Sequence, residues 1–293
     1  MNNSIRQLDM KDFSLALGVE DWKPDAFIIF EGVIPPPKWY TPVRQDYFPL
    51  LCLEEGLIRN IVDLQHYQVR RNDLFFLKPS QITQVESISP DTKGQMIVFE
   101  KSFLAGEVGH LLEKLGFLAP TAPPLLSLTD EEAEDVRVSI REVKRKVEGI
   151  DRPHRKLIAI NLISALLLEI DSIYLQRHVQ VEKSLSRKEI VNSEFHSLLS
   201  THFLRERTVM YYAGLLNITP KYLTELTKEL TGKTASELID DRVILEAKVL
   251  LKNPDLSIKQ IAEELNFSDQ FFFSKYFKNF TGISPSQYRG QDS

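Results

Sequence analysis

Two sets of side chains in the C-terminal part of the sequence are spaced so that each would line one face of a helix. The first set is Lys221, Thr224, Glu225 and Lys228, and the second is Gln270, Phe271, Ser274, Lys275 and Lys278. Residues three and four positions apart share a helix face. Lysine pairs with phosphate, amide and hydroxyl groups hydrogen-bond to base edges, and an aromatic ring can contact the methyl group of thymine. Both sets therefore have the chemistry of contact with double-stranded DNA.

The segments that carry these sets are two copies of one unit. Residues 213–219 align with residues 262–268 at an offset of 49, and residues 222–232 align with residues 272–282 at an offset of 50. The single slipped residue falls between the two aligned blocks, where a turn is expected. Self-similarity at a fixed period indicates a repeated supersecondary unit, so the C-terminal part is predicted to contain the same unit twice.

The second copy has the pattern of a helix-turn-helix. Ser257 is expected to cap a first helix and Asn266 to end it, because asparagine tolerates the left-handed conformation of a sharp turn. Ser268 is expected to cap the second helix. The apolar residues at core spacing are Ile258, Ile261, Ala262 and Leu265 on the first helix and Phe273, Phe277 and Phe280 on the second.

The first copy repeats this pattern. Thr219 is expected to cap its second helix, and Pro220 occupies the first helical position, where a missing N–H costs nothing. Leu223, Leu226 and Leu230 are predicted to face inward.

Two outward positions have competing interpretations. Three consecutive phenylalanines at 271–273 cannot share one buried stripe, and Phe271 is predicted to face the DNA groove. Glu225 either pairs with a lysine one turn away or accepts a hydrogen bond from N4 of cytosine. An acid at this position argues against strong contacts from the first of the two recognition helices.

Together these motifs resemble the C-terminal signature of the AraC family over about residues 190–290. The second copy is similar at Ser257-Ile258, Ile261-Ala262, Phe267, Phe272-Phe273-Ser274-Lys275, Phe277-Lys278, Thr281-Gly282, Ser284-Pro285 and Tyr288-Arg289. The first copy is similar at Tyr212-Ala213, Tyr222-Leu223, Thr231-Gly232, Arg242, Ala247 and Leu250-Leu251. Asn266 departs from the family, which usually has glycine there, but both residues adopt the same backbone region.

The resemblance implies a sequence-specific transcription regulator whose two recognition helices enter successive major grooves of promoter DNA, and the sequence does not decide between activation and repression. The helix at 236–251 would be the rigid spacer between them. The implied partners are promoter DNA, RNA polymerase and a second copy of the chain. The N-terminal barrel would be a cupin-like sensor that binds a small-molecule effector.

The predicted fold class is α+β, in three parts. Residues 1–125 form a cupin-like β-barrel sensor domain, residues 126–183 a helical linker and dimerisation region, and residues 184–293 an all-α domain with two helix-turn-helix units. Segments 25–30, 47–53, 57–64, 74–77 and 95–100 read as strands, and their turn residues favour a small barrel or sandwich. Residues 103–117 have helical spacing, and residues 179–193 read as a polar linker. The cupin resemblance is carried by Gly56, Asn72-Asp73-Leu74 and Pro79.

Five residues in or near the predicted strands could line an effector pocket. They are Tyr40, Arg44, Tyr47, His66 and Tyr67. Each also has an ordinary structural interpretation.

Two helices are predicted between the barrel and the DNA-binding part. Thr129 before three acidic residues is typical of an N-cap, with a helix to about residue 147. A second helix runs from Pro153 to His178, with apolar residues at Leu157, Ile160, Leu167, Ile170 and Tyr174. That stripe is predicted to pair with the same helix of a second chain. The alternative is that Val136, Val143 and the barrel cover it within one chain.

Metal and thiol chemistry are not expected. The six histidines include no His-x-His pair, and Thr83 and Gln84 stand where a cupin histidine would follow Pro79. The single cysteine, Cys52, lies in an apolar strand and is predicted to be an inert core residue. No Ser/His/Asp or Cys/His arrangement is apparent, so we expect no enzyme, no catalytic residues, no metal and no cofactor.

Composition sets weaker limits. Hydrophobic residues at 43% and charged residues at 26% are typical of a globular protein. Neither a signal-peptide pattern nor about 18 uninterrupted apolar residues is present, which predicts a cytoplasmic protein outside the membrane. The net charge is −5, and residues 184–293 hold 14 basic and 14 acidic side chains. DNA contact would therefore need cations gathered on one face.

Three hypotheses follow from the sequence. The first is a DNA-binding regulator controlled by an effector. The second is a cupin enzyme with an appended helical domain, which the missing metal ligands oppose. The third is an effector-free DNA-binding protein whose barrel only dimerises. The sequence does not separate the first from the third.

Overall fold

The computed structural model describes residues 7–8, 10–18, 27–36, 42–79, 81–104, 111–119, 122–147, 153–182, 186–253 and 255–290. By their contacts, the residues divide into a first unit, Gln7–Lys183, and a second unit, Ser184–Ser293. Tyr40, one of the predicted pocket residues, lies outside the described residues.

The first unit is built on two five-stranded sheets. Its strands are β1 (Gln7–Leu8), β2 (Phe27–Val33), β3 (Val43–Gln45), β4 (Tyr47–Glu55), β5 (Ile58–Val62), β6 (Gln65–Val69), β7 (Asp73–Phe76), β8 (Ile82–Ile88), β9 (Lys93–Glu100) and β10 (Leu125–Ser127). One sheet has the order β1-β3-β8-β5-β6 and the other β10-β7-β4-β9-β2. All pairs are antiparallel except β1 with β3. Within the described residues the strands form separate sheets and not the closed barrel that was one of the two alternatives.

Strand β4 shows why the second sheet is the central layer of this unit. Its run Tyr47–Leu53 is apolar without alternation, which is typical of a strand covered on both faces. Tyr47, Leu51 and Leu53 pack into the core shared with the first sheet and with helix α1 (Met10–Ala16). Leu50 and Cys52 point to the opposite face, into a core that contains two long helices.

These two helices are α4 (Asp130–Val147) and α5 (Arg155–Glu182). Thr129 caps α4 as predicted: its Oγ1 accepts from the Glu132 N–H at 3.2 Å, and its own N–H donates to the Glu132 carboxylate at 2.7 Å. The acidic first turn and basic last turn of α4 both oppose the helix dipole favourably.

The apolar stripe of α5 is covered within the chain. Ile160, Leu167, Ile170 and Tyr174 are buried in one cluster with Val136 and Val143 of α4 and with the outer face of the central sheet. Of the two alternatives from the sequence, coverage within one chain describes these residues, so they are not a seam between chains. Leu157 differs from the others in the predicted stripe because it is 39% exposed.

Two other local predictions were wrong. Residues 103–117 do not form a single helix in the described parts: α2 (Lys101–Leu104), α3 (Leu111–Lys114) and a 3-10 turn (Gly116–Leu118) replace it. The predicted linker at 179–193 is largely helical, since α5 continues to Glu182 and α6 (Arg187–His202) begins soon after. Ser186 starts α6 with a capping box to Glu189, a signal that the polar composition concealed.

The second unit contains seven helices in its described residues. They are α6, α7 (Val209–Leu215), α8 (Pro220–Thr231), α9 (Ala235–Leu251), α10 (Ile258–Glu264), α11 (Gln270–Thr281) and α12 (Pro285–Gly290). Helix α9 contributes to two cores, one with α6, α7 and α8 and the other with α10 and α11. At its middle, Arg242 forms a buried ion pair with Glu246 (Nη1 to Oε2, 3.2 Å) and stacks 4.0 Å above the ring of Phe203.

One stretch of α5, Arg155–Arg177, is long and apolar enough by composition to cross a membrane, with a mean hydropathy of 1.8 over its best window. Half of that window is buried inside the structure. Its apolarity is accounted for by the core that α5 forms with α4 and the central sheet.

Adjacent leucines on α5 offer a test of this packing. Leu167 is 1% exposed, whereas Leu168 is 53% exposed. Leu167→Glu should lower the free energy of unfolding by about 4 kcal/mol or more, because a carboxylate would replace a core side chain. Leu168→Glu should still fold and should lower the melting temperature much less, because no core side chain is replaced. Circular dichroism melts measure both, and equal melting of the two variants would contradict the assignment of α5's inner face.

Candidate nucleic-acid interface

The two helix-turn-helix units have the same backbone design. Asn217 and Asn266 adopt left-handed φ values of 54° and 56° directly after α7 and α10. In each turn the next residue donates its N–H back to the helix, Ile218 to Ala213 at 3.0 Å and Phe267 to Ala262 at 2.8 Å. The prediction that an asparagine makes the sharp turn is confirmed at Asn266, and Asn217 makes the same turn in the first helix-turn-helix unit.

Capping residues fix the ends of α8 and α11, the second helix of each helix-turn-helix unit. Thr219 caps α8 as predicted, its Oγ1 accepting from the Tyr222 N–H at 3.1 Å, with Pro220 in the first turn. Asp269, not Ser268, caps α11: its Oδ1 accepts from the N–H groups of Phe271 at 2.7 Å and Phe272 at 2.9 Å. A carboxylate also opposes the positive end of the helix dipole. Both helices end at a left-handed glycine.

Helix α8 presents the first predicted set outward. Lys221, Glu225 and Lys228 are exposed, and Thr224 is half-buried with its hydroxyl donating to the Pro220 carbonyl at 2.9 Å. Lys221 Nζ lies 3.8 Å from Glu225 Oε1, which is the ion pair that one interpretation of Glu225 required. Leu223 and Leu226 are buried as expected, but Leu230 is 40% exposed because it lies beyond the core with α9.

Helix α11 presents the second set outward. Gln270, Lys275 and Lys278 are exposed and Ser274 is half-buried. Phe273 and Phe277 are completely buried, while Phe271 is 72% exposed, as the spacing predicted. Phe280, predicted as core, is 48% exposed and instead packs its ring at 4.8 Å from that of Tyr276.

The exposure of Phe272 was not predicted from the sequence. Phe272 is 57% exposed and its ring contacts that of Phe271 at 6.1 Å. Helical geometry was the available signal, since a stripe centred on Phe273 and Phe277 leaves both preceding positions outside it. An open groove beside this pair is lined by residues of α10 and the start of α11, among them Lys259, Asp269 and Gln270.

The described members of the predicted effector set have different surroundings, although Tyr47 and Tyr67 contact the same core between the sheets. Tyr47 is buried between the sheets, its ring 5.3 Å from that of Phe13. His66 and Tyr67 are consecutive on β6 and so point to opposite faces: His66 is exposed and contacts Glu86 at 3.1 Å. Tyr67 is half-buried and donates to Gln65 at 2.7 Å. Arg44 is half-buried on β3, in the other sheet from Tyr47.

A different group of polar side chains is buried in the first sheet. Gln45, Asn60 and Thr83 lie on three of its strands, and the Thr83 hydroxyl donates to Asn60 Oδ1 at 2.8 Å. The Gln45 amide nitrogen has no hydrogen-bond acceptor among the described residues. Alternation along β5 places Asn60 with Ile58 and Val62, on the face that packs into the core between the sheets.

Cys52 is fully buried, and burial raises the pKa of its thiol to about 11. That pKa keeps the thiol protonated at neutral pH, so the prediction of a core cysteine agrees with its surroundings. Within the described part of the chain, no three His, Cys, Asp or Glu side chains are arranged to hold a metal ion.

The fold and the exposed faces of α8 and α11 define a DNA-binding domain with two helix-turn-helix units. Residues 212–291 match the family model described as a helix-turn-helix domain. The chain is 31% identical over 130 residues to the Msm operon regulatory protein of Streptococcus mutans serotype c, covering 44% of each. It is 28% identical over 137 residues to the arabinose operon regulatory protein of Escherichia coli K12, covering 46% of this chain and 45% of the relative.

A longer match is to the HTH-type transcriptional activator RhaR of Salmonella schwarzengrund, 22% identical over 254 residues, which are 87% of this chain and 88% of the relative. The matches to the first two relatives span less than half of their lengths. The C-terminal part of the chain is therefore similar to the helix-turn-helix part of these transcriptional regulators.

The left-handed turn at Asn266 can be tested by substitution. Asn266→Ala should lower the free energy of unfolding of the second unit by about 1–2 kcal/mol, because alanine lacks the polar side chain that lets asparagine hydrogen-bond locally in the left-handed conformation. Asn266→Gly should not, because glycine has no Cβ and adopts this conformation freely. Asn279→Ala, within α11, is the matched control. Urea unfolding followed by far-UV circular dichroism measures the effect. An equal loss in Asn266→Gly would assign the effect to the side chain.

Proposed function

We propose that this protein is a sequence-specific transcription regulator that reads two successive major grooves of promoter DNA with α8 and α11. The observation that carries the proposal is the repeated unit itself. In each copy a left-handed asparagine turn leads into a twelve-residue helix that buries one face and exposes a polar face. An exposed helix face of that kind is what enters a major groove in helix-turn-helix proteins.

The two helices are proposed to contribute unequally. On α8, Lys221 is paired with Glu225, so its charge is partly neutralised before any phosphate approaches. On α11, Lys275 and Lys278 have no carboxylate within ion-pair distance in the described part of the chain, and Phe271 adds apolar surface for a thymine methyl. Most of the affinity is therefore expected from α11.

The first unit is proposed to sense a small-molecule effector. The buried polar group of Gln45, Asn60 and Thr83 supports this proposal, because an amide nitrogen without an acceptor inside a core costs free energy that a polar ligand could recover. Of the five residues proposed from the sequence, Tyr47 and Tyr67 contact the same core between the sheets, whereas His66 is exposed. RNA polymerase is a further proposed partner, and the cytoplasm the proposed location.

A homodimer is also proposed, through the outer face of α5. Ile158, Leu168 and Leu175 are exposed there, and Ala165 and Ser172 lie between them at the spacing of a helix–helix seam. Since Leu168→Glu is expected to fold, light scattering of that variant tests the seam. We expect a dimeric wild type and a monomeric variant, and a dimer retained in Leu168→Glu would place the interface elsewhere.

DNA recognition by α11 gives the main test. Selection of duplexes from a random library by the full-length protein should yield a preferred sequence. Lys275→Ala and Lys278→Ala should weaken binding to it and reduce the slope of log affinity against log salt by about one unit each, because each lysine displaces a counterion from a phosphate. Phe271→Ala should instead change preference at one base pair, by about 1–3 kcal/mol.

Lys146→Ala, an exposed lysine on α4, is the control and should change neither quantity. Failure of the wild-type protein to enrich any sequence would overturn the proposed function. Unchanged salt slopes in both lysine variants would remove α11 from the contact surface.

A further inference from the structure

The second helix-turn-helix unit is tied to the first by polar contacts outside the shared core of α9. The Tyr276 hydroxyl on α11 donates to Asp240 Oδ1, in the first half of α9, at 2.6 Å. Arg207, in the loop before α7, donates through Nη2 to the carbonyl of Leu265 at the end of α10. The same guanidinium lies 4.0 Å above the ring of Phe267, in the turn between α10 and α11.

These contacts lie where the two cores of the unit meet. Phe267 and Tyr276 pack against both cores, and their rings are 5.2 Å apart. Burial lowers the pKa of Arg207 and raises the pKa of both Asp240 and Tyr276. The charges of Arg207 and Asp240 favour each other across this half-buried space, which makes the hydrogen bonds stronger than exposed ones.

The position of these contacts determines what they can control. Helix α8 packs on α6, α7 and the first half of α9, and so belongs to the body that holds Arg207 and Asp240. Tyr276 is on α11 itself. The contact from Asp240 to Tyr276 therefore joins α11 to the end of α9 that packs on α8, whereas the apolar core of α11 is formed with the other end of α9. On DNA a shift of one base pair is about 3.4 Å along the axis and about 34° around it, so small movements between the two helices matter.

We propose that Arg207, Asp240 and Tyr276 form a clamp that sets the separation of the two half-sites the protein accepts on DNA. They are positioning residues, which specify spacing without reading a base. The proposal rests on the proposed function, since it requires that α8 and α11 bind one duplex together. Phe267 is the apolar part of the clamp, under the Arg207 guanidinium.

The test uses the full-length protein and the duplex that it selects from a random library. Derivatives of that duplex carry one or two base pairs inserted or deleted between the segments protected by α8 and α11. For the wild type we expect one inserted base pair to weaken binding at least about tenfold, or about 1.4 kcal/mol. In Tyr276→Phe, and in Tyr276→Phe combined with Arg207→Met, we expect this penalty to fall below about threefold.

Controls separate spacing from folding and from base contact. Tyr276→Phe keeps the ring that packs against both cores, so its melting curve should stay close to that of the wild type. Tyr288→Phe removes a hydroxyl from a ring that packs on Phe277 inside the second core, and should keep the wild-type spacing penalty. Affinity for a duplex with only the α11 half-site should be unchanged in all variants.

The outcomes are distinguishable. If the wild type selects no duplex, the proposed function fails and the clamp with it. If it selects one, but tolerates an inserted base pair or shows the same penalty in the clamp variants, the clamp is wrong while the proposed function stands. Loss of affinity for the single half-site in Tyr276→Phe would also overturn the proposal, because it would make Tyr276 part of the contact surface.

Discussion

The helices α7, α8, α10 and α11 are seven or twelve residues long, and isolated helices of that length are marginal in water. Their stability depends on burial against α9, a seventeen-residue helix that has buried side chains from its first turn to its last and on every face. Phe273 and Phe277 provide that burial for α11, and Leu223 and Leu226 for α8. Each short helix buries one apolar stripe in the core, and this burial leaves its opposite face exposed to solvent. Surface chemistry in this unit is thus a consequence of the packing on α9.

Capping side chains satisfy the backbone N–H groups at the helix ends, which burial alone would leave unpaired. The first N–H groups of a helix have no partner within it, and here Thr219 and Asp269 satisfy them at the ends nearest the proposed DNA surface. The asparagine turns and terminal glycines hold the backbone in the left-handed region at fixed points. The result is a short unit repeated twice, whose turns and helix ends are held by local contacts.

The first unit uses a different solution. Its central sheet is buried on both faces, by the other sheet and by α4 with α5, so it needs strands that are apolar throughout. Burying α5 inside the chain leaves its opposite face, with Leu168 and Leu175, exposed. Gln45, Asn60 and Thr83 are among the polar side chains buried in this unit, and the lone Cys52 is part of the core with no chemical activity expected of it.

The C-terminal architecture could be predicted from the sequence because its signals are local. Proline at 220, asparagine at 266 and the repeated apolar spacing act within a few residues, so the helices, turns and the exposure of Phe271 followed from them. Predictions that depended on distant parts of the chain were less successful. The stripe containing Leu167 could be covered by a second chain or by its own sheet, and only the packing of α4 and α5 on β4 decided it. His66 and Tyr67 looked equivalent in sequence, yet the pleat of β6 separates them. Likewise Arg207, Asp240 and Tyr276 are far apart in sequence. They come together because the two helix-turn-helix units pack on each other, which no local pattern encodes.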